Sequence, residues 1–375
     1  MTRIPLGMVG GGQGAFIGAV HRIAARIDDR FALVAGALSS DPERARASAE
    51  AIGLDRSYSD YREMARAEAA RPDGIRAVAI VTPNHLHMPV ARAFLEAGIH
   101  VICDKPLTAT LEQAEELVRV AQGSDALLIL THTYAGYPMI REARRLVAEG
   151  ALGRIRLVQV EYAQDWLARP ARSKQADWRA DPAQSGEGGA IADIGTHAAH
   201  LARYVSALPI EAVAADLSTF VDGRRVDDNA HVMLRLAGGA RGMLWASQVA
   251  AGSDNEVRLR VMGDQAGLDW SHADPNRLLL TRLDQPPQIL TRGGPGFAGE
   301  ARVPSGHPEG YLEAFASIYA DAATAIGTGV MPPHLPGLTC GLEGMRFITA
   351  CIASSRANSA WVGLGQAQGA RGQIG

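Results

Sequence analysis

Residues 4–12 read Ile4-Pro5-Leu6-Gly7-Met8-Val9-Gly10-Gly11-Gly12. The apolar run Ile4–Val9 reads as a buried strand, and the three glycines end it. A glycine turn directly after a first strand lets the backbone bend tightly and approach a pyrophosphate at the N-terminus of the next helix. Gly10 and Gly12 fit the first two places of a G-x-G-x-x-G fingerprint, with Gly12 expected where backbone meets the pyrophosphate. The third place is Ala15, or Gly18 after a longer loop. The alternative is a plain strand–helix turn, so the surrounding elements have to decide.

Outward from this turn, helical and strand-like segments alternate. Val20–Ile27 has helical spacing and Phe31–Leu38 reads as a second buried strand. Asp41 followed by Pro42 reads as a helix cap with proline at the first helical position. Ala77–Val81 is a third strand, and Met88–Ala97 a helix stopped by Gly98. Val101–Cys103 is a fourth strand. Thr110 with Gln113 predicts a capping box for a helix through Ala121, and Ala126–Leu130 is a fifth strand. Strands this apolar are buried on both faces, as in a parallel sheet. Repeated β-α units predict an α/β Rossmann domain, a doubly wound parallel sheet, over residues 1–132.

After about residue 150 the pattern changes. Arg154–Trp166, Glu211–Phe220, Asn229–Ala237, Arg241–Val249 and Glu256–Met262 read as longer strands, several with period-two alternation. Gly238-Gly239 is a hairpin signal between two of them. A Gly-rich loop, Ser185–Gly189, and a helix, Ile191–Tyr204, interrupt them, and a long helix, Gly310–Ile326, follows. These features predict an α+β C-terminal domain with a large open, mostly antiparallel sheet over residues 133–362, and a flexible tail at 363–375.

The 375 residues suit two domains. A hydrophobic share of 47% with 21% charged residues argues against disorder. A net charge of −3, from 37 basic and 40 acidic residues, gives no reason to expect nucleic acid or an anionic membrane. Cys103, Cys340 and Cys351 match no metal spacing and fit a reducing compartment. With no signal-like segment and no apolar run near the roughly 20 residues a membrane helix needs, a cytoplasmic location is expected.

Chemistry concentrates where strands end. After the second strand, Ser39 and Ser40 stand where a carboxylate would read an NAD ribose and an arginine an NADP phosphate. The absence of arginine at these two positions leans toward NAD. Thr82-Pro83-Asn84-His85-Leu86-His87 follows the third strand, at the edge where such sheets bind ligands. His87 is a candidate contact there, whereas His85 is better read as a helix-start histidine. Asp104-Lys105-Pro106 closes the fourth strand. Lys105 is either a surface lysine or a donor that stabilises a developing alkoxide.

Asp193 and His197, four apart in Gly188–His197, fall on one helix face. An aspartate there orients the imidazole and supports its protonated form, which suits a general base. His200 extends the same face, so Asp193, His197 and His200 also form a possible metal-ligand set. A helix carrying a structural histidine is the third reading. Tyr134, Tyr137, Gln164, Asp165, Trp166, Trp178 and Arg179 are candidates for a sugar pocket, since aromatic faces pack on sugar C–H groups. The Arg141, Arg144, Arg145 cluster is most simply a solvated helix face.

Taken in order, Gly10-Gly11-Gly12, Thr82-Pro83-Asn84-His85-Leu86-His87, Cys103-Asp104-Lys105-Pro106 and Asp193-x-x-x-His197 resemble the Gfo/Idh/MocA oxidoreductase family. The resemblance spans roughly residues 4 to 362, and the family's usual Glu-Lys-Pro stands here as Asp104-Lys105-Pro106. It implies a Rossmann domain joined to an open antiparallel sheet. It also implies NAD- or NADP-linked oxidation of a sugar, glycoside or cyclitol secondary hydroxyl, or the reverse, by a homodimer or homotetramer. Lys105 would hold the reacting hydroxyl, Asp193 would bind or orient, and His197 would move the proton. The cofactor set is then Gly10, Gly12, Gln13, Ser39, Ser40, Thr82, Pro83, Asn84, His87, Asp104 and Lys105. Gln164-Asp165-Trp166 and Trp178-Arg179 look similar to segments of the levoglucosan and inositol dehydrogenase-like branch. The family also contains glycosidases that use tightly held NAD for transient oxidation at C3, which is the nearest alternative. A metal-dependent hydrolase and a non-catalytic sensor are the more distant ones.

Overall fold

A computed structural model describes residues 3–170 and 173–365. Six strands form one parallel sheet: β1 (Ile4–Gly10), β2 (Phe31–Ala37), β3 (Arg56–Ser57), β4 (Ala77–Val81), β5 (His100–Cys103) and β6 (Leu128–Leu130). Their order is β3-β2-β1-β4-β5-β6, so the chain reverses direction across the sheet beside β1. Every residue of β4 is buried, because helices cover both faces. Each fully buried aliphatic side chain of this core contributes about 1.5–3 kcal/mol.

Local capping sets where the helices begin. The Arg44 amide donates to Asp41 Oδ1 at 2.8 Å, with Pro42 at the first helical position. The Gln113 amide donates to Thr110 Oγ1 at 3.3 Å, but Gln113 Oε1 accepts from the Ala109 amide rather than from that of Thr110. The predicted box therefore closes one residue early.

The second sheet has nine strands: β7 (Ile155–Ala163), β8 (Ile210–Ser218), β9 (Asn229–Leu236), β10 (Arg241–Ser247), β11 (Glu256–Gly263), β12 (Ala266–Ser271), β13 (Arg277–Arg282), β14 (Gln288–Thr291) and β15 (Val362–Gly363). Their order is β14-β13-β12-β11-β7-β10-β9-β8-β15. Pairing is antiparallel except between β7 and β10, which run parallel. The Gly238-Gly239 turn joins β9 to β10 as expected. Gly363, expected in the tail, pairs with Ala212 of β8; positions 366–375 lie outside the described residues.

Helix Tyr311–Thr328 returns to the parallel sheet. Phe315 and Tyr319 share a core cluster with Leu6, Met8 and Phe31. The strap leading into this helix is pinned by charge. Arg292 and Glu309, each 1% exposed at the side chain, pair at 3.1 Å. Arg302 grips Asp28, at the end of helix Phe16–Ile27, through Nε at 2.8 Å. Removing one partner of a fully buried pair such as Arg292–Glu309 typically costs about 3–5 kcal/mol.

Of the three arginines of helix Pro138–Ala148, Arg141 and Arg144 reach other elements, and only Arg145 keeps to its own helix face. Arg141 donates to Asp321 at 2.6 Å and Arg144 to the Tyr204 carbonyl at 2.7 Å. Arg145 is held by Glu142 and Glu149. Arg141 and Arg144 thus tie this helix to helices Tyr311–Thr328 and Thr196–Ser206.

Candidate active site

The carboxyl ends of β1 and β4 open into a cleft of about 690 Å³ between the two sheets. Its floor is the glycine turn. Gly10 and Gly11 have φ of +81° and +72°, a region that L side chains rarely adopt. Arg22 donates to the Gly11 carbonyl at 2.9 Å and fixes the turn. A Cβ on Gly18 would lie 2.4 Å from Gly11 Cα. Gly18, not Ala15, thus takes the third fingerprint place, where helix and strand pack closely.

Helix Phe16–Ile27 starts with no side-chain cap and no acidic residue in its first turn. Its free amides and partial positive charge therefore remain available to an anion at the cleft. The cradle and the uncapped helix fit a dinucleotide pyrophosphate. A Cβ on Gly12 would meet the Leu38 carbonyl at 2.6 Å. The steric demand at Gly12 comes from the end of β2, not from the open cleft as the sequence suggested. Gly12→Val is accordingly expected to displace the segment carrying Ser39 and Ser40 and to weaken dinucleotide binding about tenfold or more, overpacking of this kind costing about 1–3 kcal/mol. Calorimetric titration reads this, and an unchanged affinity would remove the assignment.

Of the expected cofactor set, Gly10, Gly12, Gln13, Ser39, Ser40, Thr82, Pro83, Asn84, Asp104 and Lys105 all line the cleft. Asp104 Oδ1 accepts from Thr131 Oγ1 at 2.9 Å, which fixes the β5 end next to Lys105. His87 does not line the cleft. It is 1% exposed, with Nδ1 2.7 Å from the Pro106 carbonyl and Nε2 3.0 Å from that of Thr82. It braces the ends of β4 and β5 from behind, because its helix begins with the ring turned into the core. Arg44, which the sequence reading passed over, lines the cleft with Ser39 and Ser40.

Across the cleft, helix Thr196–Ser206 is preceded by a wider π-type turn, Ile191–Gly195, that carries Asp193. Lys105 Nζ, from the parallel sheet, donates to Asp193 Oδ1 at 2.8 Å and to the Asp193 carbonyl at 2.6 Å. Asp193 Oδ2 accepts from Arg179 Nε at 3.1 Å and from Gln248 Nε2 at 2.9 Å. Burial works against the Asp193 carboxylate, but the charges and hydrogen bonds of Lys105 and Arg179 hold it well below the usual carboxylate range.

This geometry corrects the expected Asp193–His197 relationship. The carboxylate is taken by two cations and an amide, and none of its hydrogen bonds goes to His197. Burial, then the charges of Lys105 and His132, push the His197 pKa well below 6.5. The ring is thus kept neutral, not supported as imidazolium. Its Nδ1 is buried without a hydrogen-bond partner among the described residues. His200 faces a separate cavity. Asp193, His197 and His200 do not converge, and among the described residues no three ligating side chains are placed to hold a metal ion.

Tyr134, Gln164, Trp166, Trp178 and Arg179 all line the cleft. Tyr134 donates to the Tyr162 hydroxyl at 2.8 Å, and Tyr162 to Asn255 Oδ1 at 2.9 Å. Gln164 Nε2 reaches Asn255 Oδ1 at 2.6 Å, while Trp166 Nε1 donates to Gln164 Oε1 at 3.0 Å. The Arg179 guanidinium sits 4.3 Å from the Trp178 ring centroid. Tyr137 and Asp165 fall outside this wall. Tyr137 is buried against His272 at 2.9 Å, and Asp165 accepts from the Gly252 amide at 3.1 Å. Tyr162, Gln248, Asn255, His272 and Tyr311 were missed in the sequence. Gln164 and Gln248 each stand one residue past the paired strand ends Ala163 and Ser247; equivalent exits from neighbouring strands are a usable signal.

The amino-terminal region matches a family described as oxidoreductases with an NAD-binding Rossmann fold over residues 4–143. Residues 140–269 match the GFO/IDH/MocA C-terminal domain. An oxidoreductase structure from Sinorhizobium meliloti is 52% identical, with a TM-score of 0.90, over 96% of this chain and 100% of that one. An inositol dehydrogenase homolog from Azotobacter vinelandii, solved with NAD+, is 38% identical with a TM-score of 0.92, over 96% and 97%. Levoglucosan dehydrogenase of Pseudarthrobacter phenanthrenivorans is 29% identical over 93% of this chain and 88% of its own.

Proposed function

Since this chain belongs to the GFO/IDH/MocA family of NAD-binding oxidoreductases, we propose that it oxidises a secondary ring hydroxyl of a sugar, glycoside or cyclitol, or reduces the matching ketone. The observation that carries the proposal is the Lys105–Asp193 pair, at 2.8 Å, bridging the two sheets beside His197 and above the glycine turn. When bound, the nicotinamide accepts or returns the hydride.

The remaining chemistry belongs to this chain. Lys105 spends two of its three donors on Asp193, and the third is free to meet the reacting hydroxyl oxygen and stabilise it as charge develops. Neutral His197 takes the hydroxyl proton. Asp193 positions Lys105 and Arg179, and holds their charges together. Tyr134, Gln164 and Trp166 form an ordered wall of phenol, amide and indole that suits the alternating C–H and O–H surface of a polyol ring.

Inositols, monosaccharides and glycosides, each tested with NAD and with NADP while absorbance of reduced cofactor is followed, will test this reading. One reduced cofactor per product is expected. Release of a free sugar without net cofactor reduction would replace it with the glycosidase chemistry. Arg44 beside Ser39 and Ser40 is the reason both cofactors enter the screen.

The outer face of the second sheet exposes Leu157, Met233 and Met243 at 50%, 55% and 56%. A second copy covering this face would make a dimer or tetramer. Light scattering is expected to exceed the 39.6 kDa of one chain, and a monomer mass at working concentration would reject the assembly.

A further inference from the structure

A second cavity, of about 280 Å³, lies on the far side of helix Thr196–Ser206 from the cleft. Its polar lining is Arg144, Arg203, His200, His334 and Tyr204, its apolar wall includes Leu208 and Leu335, and none of the residues lining it is acidic. Two of the basic groups are matched from behind. Arg203 pairs with Glu343, and His334 lies 3.3 Å from Asp321. Arg144 is different. Its hydrogen bonds go to carbonyl oxygens, of Tyr204 at 2.7 Å and of Pro333 at 3.5 Å, its guanidinium lies 4.6 Å from the Tyr204 ring centroid, and it has no carboxylate partner among the described residues.

One buried polar atom at this cavity also lacks a partner. Tyr204 is 6% exposed and its hydroxyl has no hydrogen-bond partner among the described residues. His200, 7% exposed, stacks on His132 with ring centroids 4.1 Å apart and makes no hydrogen bond among the described residues. Buried polar atoms without partners are uncommon and mark an absent ligand or water. The C-terminal end of helix Thr196–Ser206 contributes about half a negative charge here. Arg144 exceeds that, so the cavity carries a net positive charge without any contribution from its histidines.

We propose that this cavity binds a small organic carboxylate. Its charge sits against Arg144 and Arg203, the Tyr204 hydroxyl donates to it, and its apolar body rests on Leu208, Leu335 and the neighbouring prolines. At about 30 Å³ per water-sized group, the space holds roughly nine non-hydrogen atoms. A bare phosphate would leave the apolar wall uncovered. The occupant would stand one ring behind His132, whose edge meets His197 with centroids 5.4 Å apart. The proposal does not depend on which substrate enters the main cleft.

Calorimetric titration of the full chain with sodium benzoate, and separately with inorganic phosphate, tests it. Saturable benzoate binding is expected below about 20 mM, weakened about tenfold or more by Arg144→Gln. Because Arg144 also holds a helix end, Tyr204→Phe serves as a second variant, and far-UV spectra check that both are folded. A smaller but measurable loss is expected for Tyr204→Phe. No saturable heat in the wild type, equal affinity in folded variants, or phosphate binding tighter than benzoate would each overturn the proposal.

Discussion

Lys105→Ala is expected to lower kcat for oxidation by about 10²–10⁴-fold while dinucleotide affinity stays close to wild type. The side chain spans the cleft, from the end of β5 to the Asp193 turn, so it acts where the two sheets face each other. Removing it does not leave Asp193 unpaired, because Arg179 and Gln248 still hold Oδ2. The Asp193 turn should therefore persist, and the loss should be catalytic rather than a collapse of the site. On the proposed function, what disappears is a donor to the reacting oxygen, together with its positive charge. An interaction made mainly as charge develops lowers kcat and kcat/KM together and leaves KM nearly unchanged. Lys105→Arg should recover little, since a planar guanidinium cannot point one donor at the Asp193 carbonyl, one at Oδ1 and one at the substrate. Steady-state kinetics with the substrate found by the screen, beside dinucleotide titration of the same preparation, separates the possibilities. A variant with wild-type kcat would remove Lys105 from the chemistry.

The parts legible in the sequence are those governed by local rules. The uninterrupted apolarity of Ala77–Val81 announces a strand buried on both faces. Glycines directly after Ile4–Val9 announce the cradle, and Asp41-Pro42 a helix start. Lys105 and Asp193 were recognisable by their motifs, and the structure brings them to 2.8 Å. Their relation to His197 was not legible, because spacing along a helix shows which residues share a face but not which partner arrives from another element. Lys105 comes from 88 residues away and takes the carboxylate that spacing had assigned to the histidine. His87 misled for a related reason: a histidine at a strand's carboxyl edge can turn toward the cleft or into the core, and only packing decides. The wall residues Asn255, His272 and Tyr311 come from separate segments with no shared motif. Strands β12 to β14 are short and separated by polar turns, and the sequence reading assigned no strand to them.

His197→Ala should likewise cost about 10²–10⁴-fold in kcat, with a change in pH profile that a merely structural residue would not produce. Burial, with Lys105 and His132 nearby, holds the ring well below the ordinary 6.5. The sign follows directly. A base works in its neutral form and is lost on protonation, so its acid limb falls where pH drops through its own pKa. In wild type, kcat/KM for oxidation should stay level as pH falls through 6.5 and decline only below it, a shift from the ordinary histidine range that the sequence alone suggested. In His197→Ala that limb should vanish. The variant should also fold. Truncation opens space, but it also removes a buried Nδ1 that has no partner, and an unsatisfied buried polar atom costs about 1–3 kcal/mol. These two effects oppose each other, so Tm should move little. If the wild-type limb lay at or above 6.5 and persisted unchanged in the variant, the proton would be leaving through another group.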